Sequence, residues 1–392
     1  MTDPRTPLVP SAQGSHTSPV LWTAFLGTAL LGFVALPRQR ASRPRGVPAF
    51  RQAGDRADAG DGYISHEGAE AEHLAERETD RGRRATTPSE IPVRGWKDIA
   101  LRVYQEFNKD RLLLIAAGVT FYAILALFPA IAALVSVYGL VADPSTINQH
   151  LNDLRGVLPG GAIDVISDQV KRLAAKGGGT LGLTAVVSIL ISLWSANGGV
   201  KAIFEALNIA YEEEEKRSFV MLNVQSFAFT FGALLFIVLA LTGIVVVPAA
   251  LQLFGVDEKA WYIALLRFPA LLLLVIGTLA VLYRYGPSRR KPKWRWVTWG
   301  SAVAGVLWLI VSGLFSWYVA NFGSYNETYG SLGAAIGFMT WIWLSTTVVL
   351  LGAELNAEME HQTVCDTTVG GQKPLGARQA RMADTVAEAS QS

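Results

Sequence analysis

The stretch from Tyr283 to Glu358 decides the fold: YRYGPSRRKPKWRWVTWG (283–300), SAVAGVLWLIVSGLFSWYVANFGSYNETYG (301–330) and SLGAAIGFMTWIWLSTTVVLLGAELNAE (331–358). Residues 297–320 and 331–352 are two apolar segments. At 1.5 Å per residue each is long enough to cross ~30 Å of hydrocarbon as a helix. Inside lipid every backbone amide must find its partner within the segment, so a lone span is helical. The connector, NFGSYNETYGS, is short and carries only Glu327 as a charge. The stretch therefore predicts a transmembrane hairpin with a basic loop at one mouth and a polar tip at the other. Arg284, Arg289, Arg290, Lys291, Lys293 and Arg295 hold the basic mouth on the cytoplasmic side by the positive-inside rule.

Composition extends this reading to the whole chain. Of 392 residues 51% are hydrophobic and only 17% charged, the balance of an all-α polytopic membrane bundle rather than a water-soluble enzyme. The net charge of +2 hides segregation, with basic residues crowded into 37–111 and 284–295. Trp261, Trp294, Trp296 and Trp299 lie beside span ends, where indole suits the headgroup region. Cys365 is the single cysteine, so no intrachain disulfide and no thiolate zinc cage can form. The five histidines show no metal-binding spacing, and no cofactor is expected.

In chain order, residues 1–36 comprise a polar tail and an apolar run, 20–36, of about 17 residues, at the lower limit for an extra span. The arginines at 38, 40, 43 and 45 favour its far end in the cytoplasm, although a cleaved leader would also fit. Residues 37–94, rich in Arg, Ala, Gly, Asp and Glu, read as a disordered cytoplasmic linker. Residues 95–360 form the membrane domain, and 361–392 a disordered cytoplasmic tail.

Within the domain, Trp96, Ile99, Val103 and Phe107 recur at helical spacing with charges opposite, as in an amphipathic interfacial helix. Core spans follow at 112–141, 180–194, 219–250 and 261–283, ahead of the hairpin. A loop at 143–176 lies outside, and a second interfacial helix covers 200–211. The run Glu212–Glu215 reads as its hydrated end. Six core spans with both ends inside satisfy every basic cluster.

Ionisable groups within spans are scarce and therefore candidates for function. Arg267 sits about six residues into the fourth span, roughly 9 Å along the helix, and suits either an anion partner or a snorkelling structural charge. Glu354 lies at the inner end of the sixth span, one turn before Glu358, where a proton-coupled transporter could use it or a plain interfacial carboxylate could sit. Pro129 and Pro269 would kink spans one and four. They belong to a recurring Phe-Pro-Ala triplet, and Asn197 and Asn321 to echoing Ala-Asn segments, as an inverted repeat would produce; both prolines fall in the outer half, which argues against one. Tyr325, Asn326, Glu327 and Tyr329, among glycines, suit either a cavity-lining re-entrant segment or a capped tight turn.

Several blocks resemble one family. Tyr283-Arg284-Tyr285-Gly286-Pro287, the GSYNETYGSLG of 323–333 and the LGAELNAE of 351–358 occur in the order found in the YihY/BrkB family of bacterial inner-membrane proteins. AGVTFYAILALFPA (117–130) and SANGG followed by FEALNIAY (195–199, 204–211) resemble it as well. The resemblance implies a six-helix protein of the bacterial inner membrane. Members carry a ribonuclease BN label, a virulence-factor label or a transporter assignment.

The expected function is a permease or exporter of an unidentified small polar or anionic solute, with the lipid bilayer and that solute as partners and self-association left open. No phosphate-binding G-x-x-x-x-G-K-[ST] occurs, so this chain consumes no ATP itself. An envelope assembly role, docking through 143–176, is the main alternative. A ribonuclease would need clustered carboxylates or histidines and a basic, aromatic platform; neither is visible, and no nucleic-acid partner is expected.

Overall fold

The structure, a computed structural model, describes residues 60–125, 181–241, 261–322 and 331–389. The chain divides into units Met1–Asp58 and Ala59–Ser392, and every described residue lies in the second. The apolar run at 20–36 and the loop at 143–176 lie outside the described residues.

Among the described residues the regular structure is helical. In chain order it comprises α1 (Gly60–Arg77), α2 (Val93–Lys109), α3 (Leu112–Leu125), α4 (Leu181–Ala210), α5 (Phe219–Leu241), α6 (Trp261–Tyr285), α7 (Trp294–Phe322), α8 (Ser331–His361) and the single turn α9 (Arg381–Asp384). Proline punctuates the chain as its geometry requires. Ile91 and Pro92 are held extended, with ψ of 121° and 166°, and α2 starts immediately after them.

Helices α5, α7 and α8 contain stretches, Phe219–Phe236, Trp294–Val319 and Ala335–His361, long and apolar enough to cross a bilayer. The apolar parts of α3 and α6, Leu112–Leu125 and Pro269–Tyr285, are shorter. Many large apolar side chains of the bundle face outward: Leu273 is 68% exposed, Leu314 62% and Trp317 60%. Such a surface would be an aggregation hazard in water and is an ordinary one in hydrocarbon.

Between the helices lie a buried apolar cluster, including Leu112, Leu207, Leu279 and Leu350, and groups that are small or hydrogen-bonded. Tryptophans of one helix donate to serines of its neighbour, Trp308 Nε1 to Ser345 Oγ at 3.0 Å and Trp341 Nε1 to Ser312 Oγ at 3.2 Å. The closest approach is at Gly300 on α7 and Gly352 on α8. A Cβ on Gly300 would meet the Gly352 carbonyl, and one on Gly352 would stand 2.6 Å from the Ala304 methyl. Without a solvent-driven hydrophobic effect, such close contact is what holds membrane helices together.

Four expectations are corrected. First, α4 runs unbroken through Ser195-Ala196-Asn197-Gly198-Gly199 to Ala210, so the expected second span and second interfacial helix are one rod. The glycines cost roughly 1 kcal/mol each in propensity, and burial of Phe204, Leu207 and Ala210 offsets that. Second, α2 does not simply lie in the interface. Ile99 and Val103 pack with Trp296, Met359, Ala85 and Ile91, and the charged residues Asp98 and Arg102 are buried with them.

Third, the described part of the supposed disordered linker is folded. Gly60–Arg77 is helical, Arg81 pairs with Asp98 at 2.5 Å, and Arg83 is buried against Glu78. Fourth, the supposed tail is folded as far as 389. Val364 N donates to Arg83 O at 2.8 Å, and the Thr363 hydroxyl sits 2.8 Å from Ala85 O. Lys293 N donates to Thr367 O at 2.8 Å and Val369 N to Lys291 O at 3.0 Å, which zips the tail to the basic loop. Arg378 bonds the carbonyls of Val364 and Ala383 at 2.7 and 2.6 Å. These segments are organised by backbone and side-chain hydrogen bonds together with burial of a few apolar residues such as Ile91 and Met382, and composition does not register that.

Candidate functional site

The last two turns of α8 read Glu354-Leu355-Asn356-Ala357-Glu358-Met359-Glu360. On a helix, alternation with period two turns the chain by about 200° per step, so the polar groups divide between two opposite sides. Glu354 and Glu358 share one side, Asn356 and Glu360 the other. All four are essentially buried, at 1% exposure or less. A helix end polar on both sides must find partners on both, and the surrounding elements supply most of them.

On one side the Asn356 carbonyl oxygen accepts from Gly300 N–H at 3.0 Å, using the space that the missing side chain leaves. Glu360 accepts from Arg289 Nη2 at 2.5 Å and from the Thr367 hydroxyl at 2.7 Å. The Arg289 guanidinium also lies over the Tyr211 ring, 4.8 Å from its centre. Just above, Tyr283 Oη donates to Val349 O at 2.7 Å.

On the other side Glu358 forms an ion pair with Arg102 of α2, whose Nη2 also reaches Gln362 Oε1 at 2.6 Å. Glu354 differs. Neither carboxyl oxygen has a hydrogen-bond partner, although the side chain is enclosed. The ionisable groups bearing on it are acidic: Glu358 on its own helix, Asp110 and Glu106 at the end of α2, and Glu212 just beyond α4. The Tyr211 hydroxyl and Asn356 Nδ2 are buried at the same end of α8. An ionised carboxylate so placed would cost several kcal/mol.

The rim of this cluster lies outside the apolar spans. Burial, reinforced by Glu106 and Glu212 against the opposing pull of Lys109, pushes the Asp110 carboxyl up to about 6. For Glu215 burial works against ionisation, but hydrogen bonds from the Arg217 side chain and backbone outweigh it and bring the carboxyl down to about 2. The run 212–215 is a hydrated end only in part, with Glu214 and Glu215 exposed. Glu213 is buried and accepts from Arg381 N at 2.7 Å, and Glu212 pairs with Arg381 Nε at 2.7 Å, so the run clamps the tail.

The other sequence candidates scatter. Asn197 is buried within α4, its Oδ1 unpartnered, on a helix that packs against α8. Asn321 is exposed and bonds back to Trp317 O at 2.8 Å. Pro269 lies inside α6 and is exposed. Arg267 is on the same helix, with its side chain outside the described residues. Pro129, Tyr325, Asn326, Glu327 and Tyr329 lie outside the described residues altogether. Among the described residues only Glu354 of the set enters the polar cluster. Arg102, Tyr211, Arg289 and Glu360 were not among the candidates; the period-two alternation at 354–360 was the one available signal for them. Among the described residues no group of three or more His, Cys, Asp or Glu side chains is placed to hold a metal ion.

Comparison with known proteins bears on the same region. The family described as Virulence factor BrkB matches residues 103–374, which takes in the zipped start of the tail. A protein of Bacillus subtilis named "Putative ribonuclease-like protein YfkH" is 30% identical over 250 residues, covering 62% of this chain and 88% of that one. A UPF0761 membrane protein of Alkalilimnicola ehrlichii is 30% identical over 291 residues, 70% of this chain and 61% of its own length. One from Neisseria meningitidis serogroup B is 27% identical over 270 residues, 66% of this chain and 62% of its own. No solved structure matches the chain.

Proposed function

Because the chain belongs to the Virulence factor BrkB family of membrane proteins, we propose that it is a transporter or exporter of a small polar or anionic solute. In this reading it sits in the bacterial inner membrane, threads it six times and keeps both ends of the core domain in the cytoplasm. The observation that carries the proposal is Glu354, a buried carboxyl without a hydrogen-bond partner at the end of a bilayer-length helix. Intramembrane ionisable groups are expensive and mark ion and substrate pathways. A buried carboxyl with no hydrogen-bond partner is suited to take up and release a proton. Arg267, about two turns into α6, would pair with the solute's negative charge.

The test is proton movement in liposomes containing the purified protein and a trapped pH-sensitive dye, under an imposed pH gradient. The wild type is expected to collapse the gradient faster than empty liposomes, and Glu354→Gln to behave like empty liposomes. Equal proton flux in wild type and Glu354→Gln would remove the support. The threading has its own check. Cysteines introduced at positions 150 and 291, in a chain whose Cys365 is replaced, should react with an impermeant maleimide from opposite sides; labelling from one side would break the proposed topology.

A further inference from the structure

A groove of about 460 Å³ opens between α5 and α6, lined by none of the residues of the polar cluster. Met221, Gln225, Phe229 and Gly232 of α5 form one wall, and Val281 and Tyr285 of α6 the other. The α5 residues recur at i, i+4, i+8 and i+11, so they make a single stripe roughly 16 Å long at 1.5 Å per residue. That is about half of the ~30 Å hydrocarbon thickness, the reach of one acyl chain. The stripe falls within Phe219–Phe236, one of the bilayer-length apolar stretches, so the groove opens toward lipid.

Its mouth is cationic. Lys291, exposed in the basic loop, holds its Nζ 4.8 Å from the centre of the Tyr285 ring and pairs with no carboxylate among the described residues. Arg217, also near the mouth through a 3.0 Å bond to Gln225 Oε1, is neutralised by Glu215 at 2.6 Å. Gln225 in turn donates its Nε2 to Tyr285 O, which ties the two walls together at this end. Arg284, 5.6 Å from the same ring, is engaged by the Pro292 carbonyl and lies over Trp294, so Lys291 is the exposed charge at the open end of an apolar channel of acyl-chain length.

We infer that this groove binds an anionic glycerophospholipid, one acyl chain lying along Gly232–Met221 and the headgroup phosphate meeting Lys291. Gly232 supplies the room: a Cβ there would meet nothing within 4 Å. The site is independent of Glu354 and of any transported solute. A lipid held here would brace α5 against α6, two helices that otherwise touch little.

The test is native mass spectrometry of the full-length protein titrated with phosphatidylglycerol or phosphatidylcholine of identical chains. Phosphatidylglycerol should bind roughly fivefold tighter, the effect of one lysine at an anionic surface. Lys291→Gln should abolish that preference while leaving phosphatidylcholine binding unchanged. Gly232→Leu, which replaces a poor helix former by a good one and so does not endanger α5, should weaken binding of both lipids. Equal binding of the two lipids by the wild type, a preference that survives Lys291→Gln, or unchanged binding after Gly232→Leu would each overturn the assignment.

Discussion

Glu354 and Glu358 stand one turn apart on the same side of α8, and the protein treats them oppositely. Glu358 is held by Arg102 and sits beside Gln362, whereas Glu354 has no donor at all. Removing one partner of a buried pair leaves an uncompensated charge, a loss of about 3–5 kcal/mol. Arg102→Ala is therefore expected to lower the unfolding midpoint in detergent sharply. Glu354→Gln replaces a carboxyl that makes no bond by a neutral group of the same shape, so the midpoint should hold or rise. Both substitutions can be compared in one thermal unfolding experiment.

Asp110 offers a pH test at the same scale. Its folded-state value of about 6 lies above its ordinary 3.8, so the folded protein binds the proton more tightly than the unfolded chain does. Stability linked to this group is present below about 4 and is lost as pH rises through 6. Asp110→Asn should then stabilise the protein at neutral pH by on the order of 1 kcal/mol, discounted for the group's partial exposure. The advantage should vanish on acidification below about 4. Unfolding midpoints of the two proteins measured across that range check the sign.

Among elements, the α7–α8 crossing governs the geometry of the cluster. Gly300 and Gly352 let two backbones meet, and Gly300 N–H is thereby brought to Asn356. A side chain at Gly300 would strike both the Gly352 carbonyl and Asn356, so Gly300→Val should prevent correct assembly, with a loss of several kcal/mol. Gly313→Ala, on the same helix but in open space, should be tolerated or slightly stabilising. Monodispersity on size exclusion together with the unfolding midpoint distinguishes the two. The small residues at 300, 304 and 305 are legible in the sequence itself as positions that permit close helix contact. The continuity of α4 was not, because two adjacent glycines signal a break locally and only the burial of Phe204, Leu207 and Ala210 against other helices shows why there is none.

At the scale of the whole molecule, the described segments before and after the membrane helices form a cap at the end of the bundle carrying the basic loop. The tail holds carbonyls of Arg83 and Ala85, pairs its backbone with the basic loop and is clamped by Glu212 and Glu213. Ending the chain at His361 would unpair these groups together and expose Glu360 and Arg289. Such a protein is expected to become cleavable by trypsin after Arg83, whose side chain is buried in the intact protein; digestion followed by mass analysis checks it.

The sequence by itself determined that this is a helical membrane protein, where the apolar stretches of α5, α7 and α8 run and which family it belongs to. Hydrocarbon length and motif order are local properties of the chain, readable without any partner. The tertiary structure alone decided which polar groups are satisfied. It joined Arg289 to Glu360, Arg102 to Glu358 and the tail to the basic loop, and it left Glu354 without a donor. Those pairings bring together residues tens to hundreds of positions apart, and a hydrogen bond depends on the final placement of two groups rather than on the character of either.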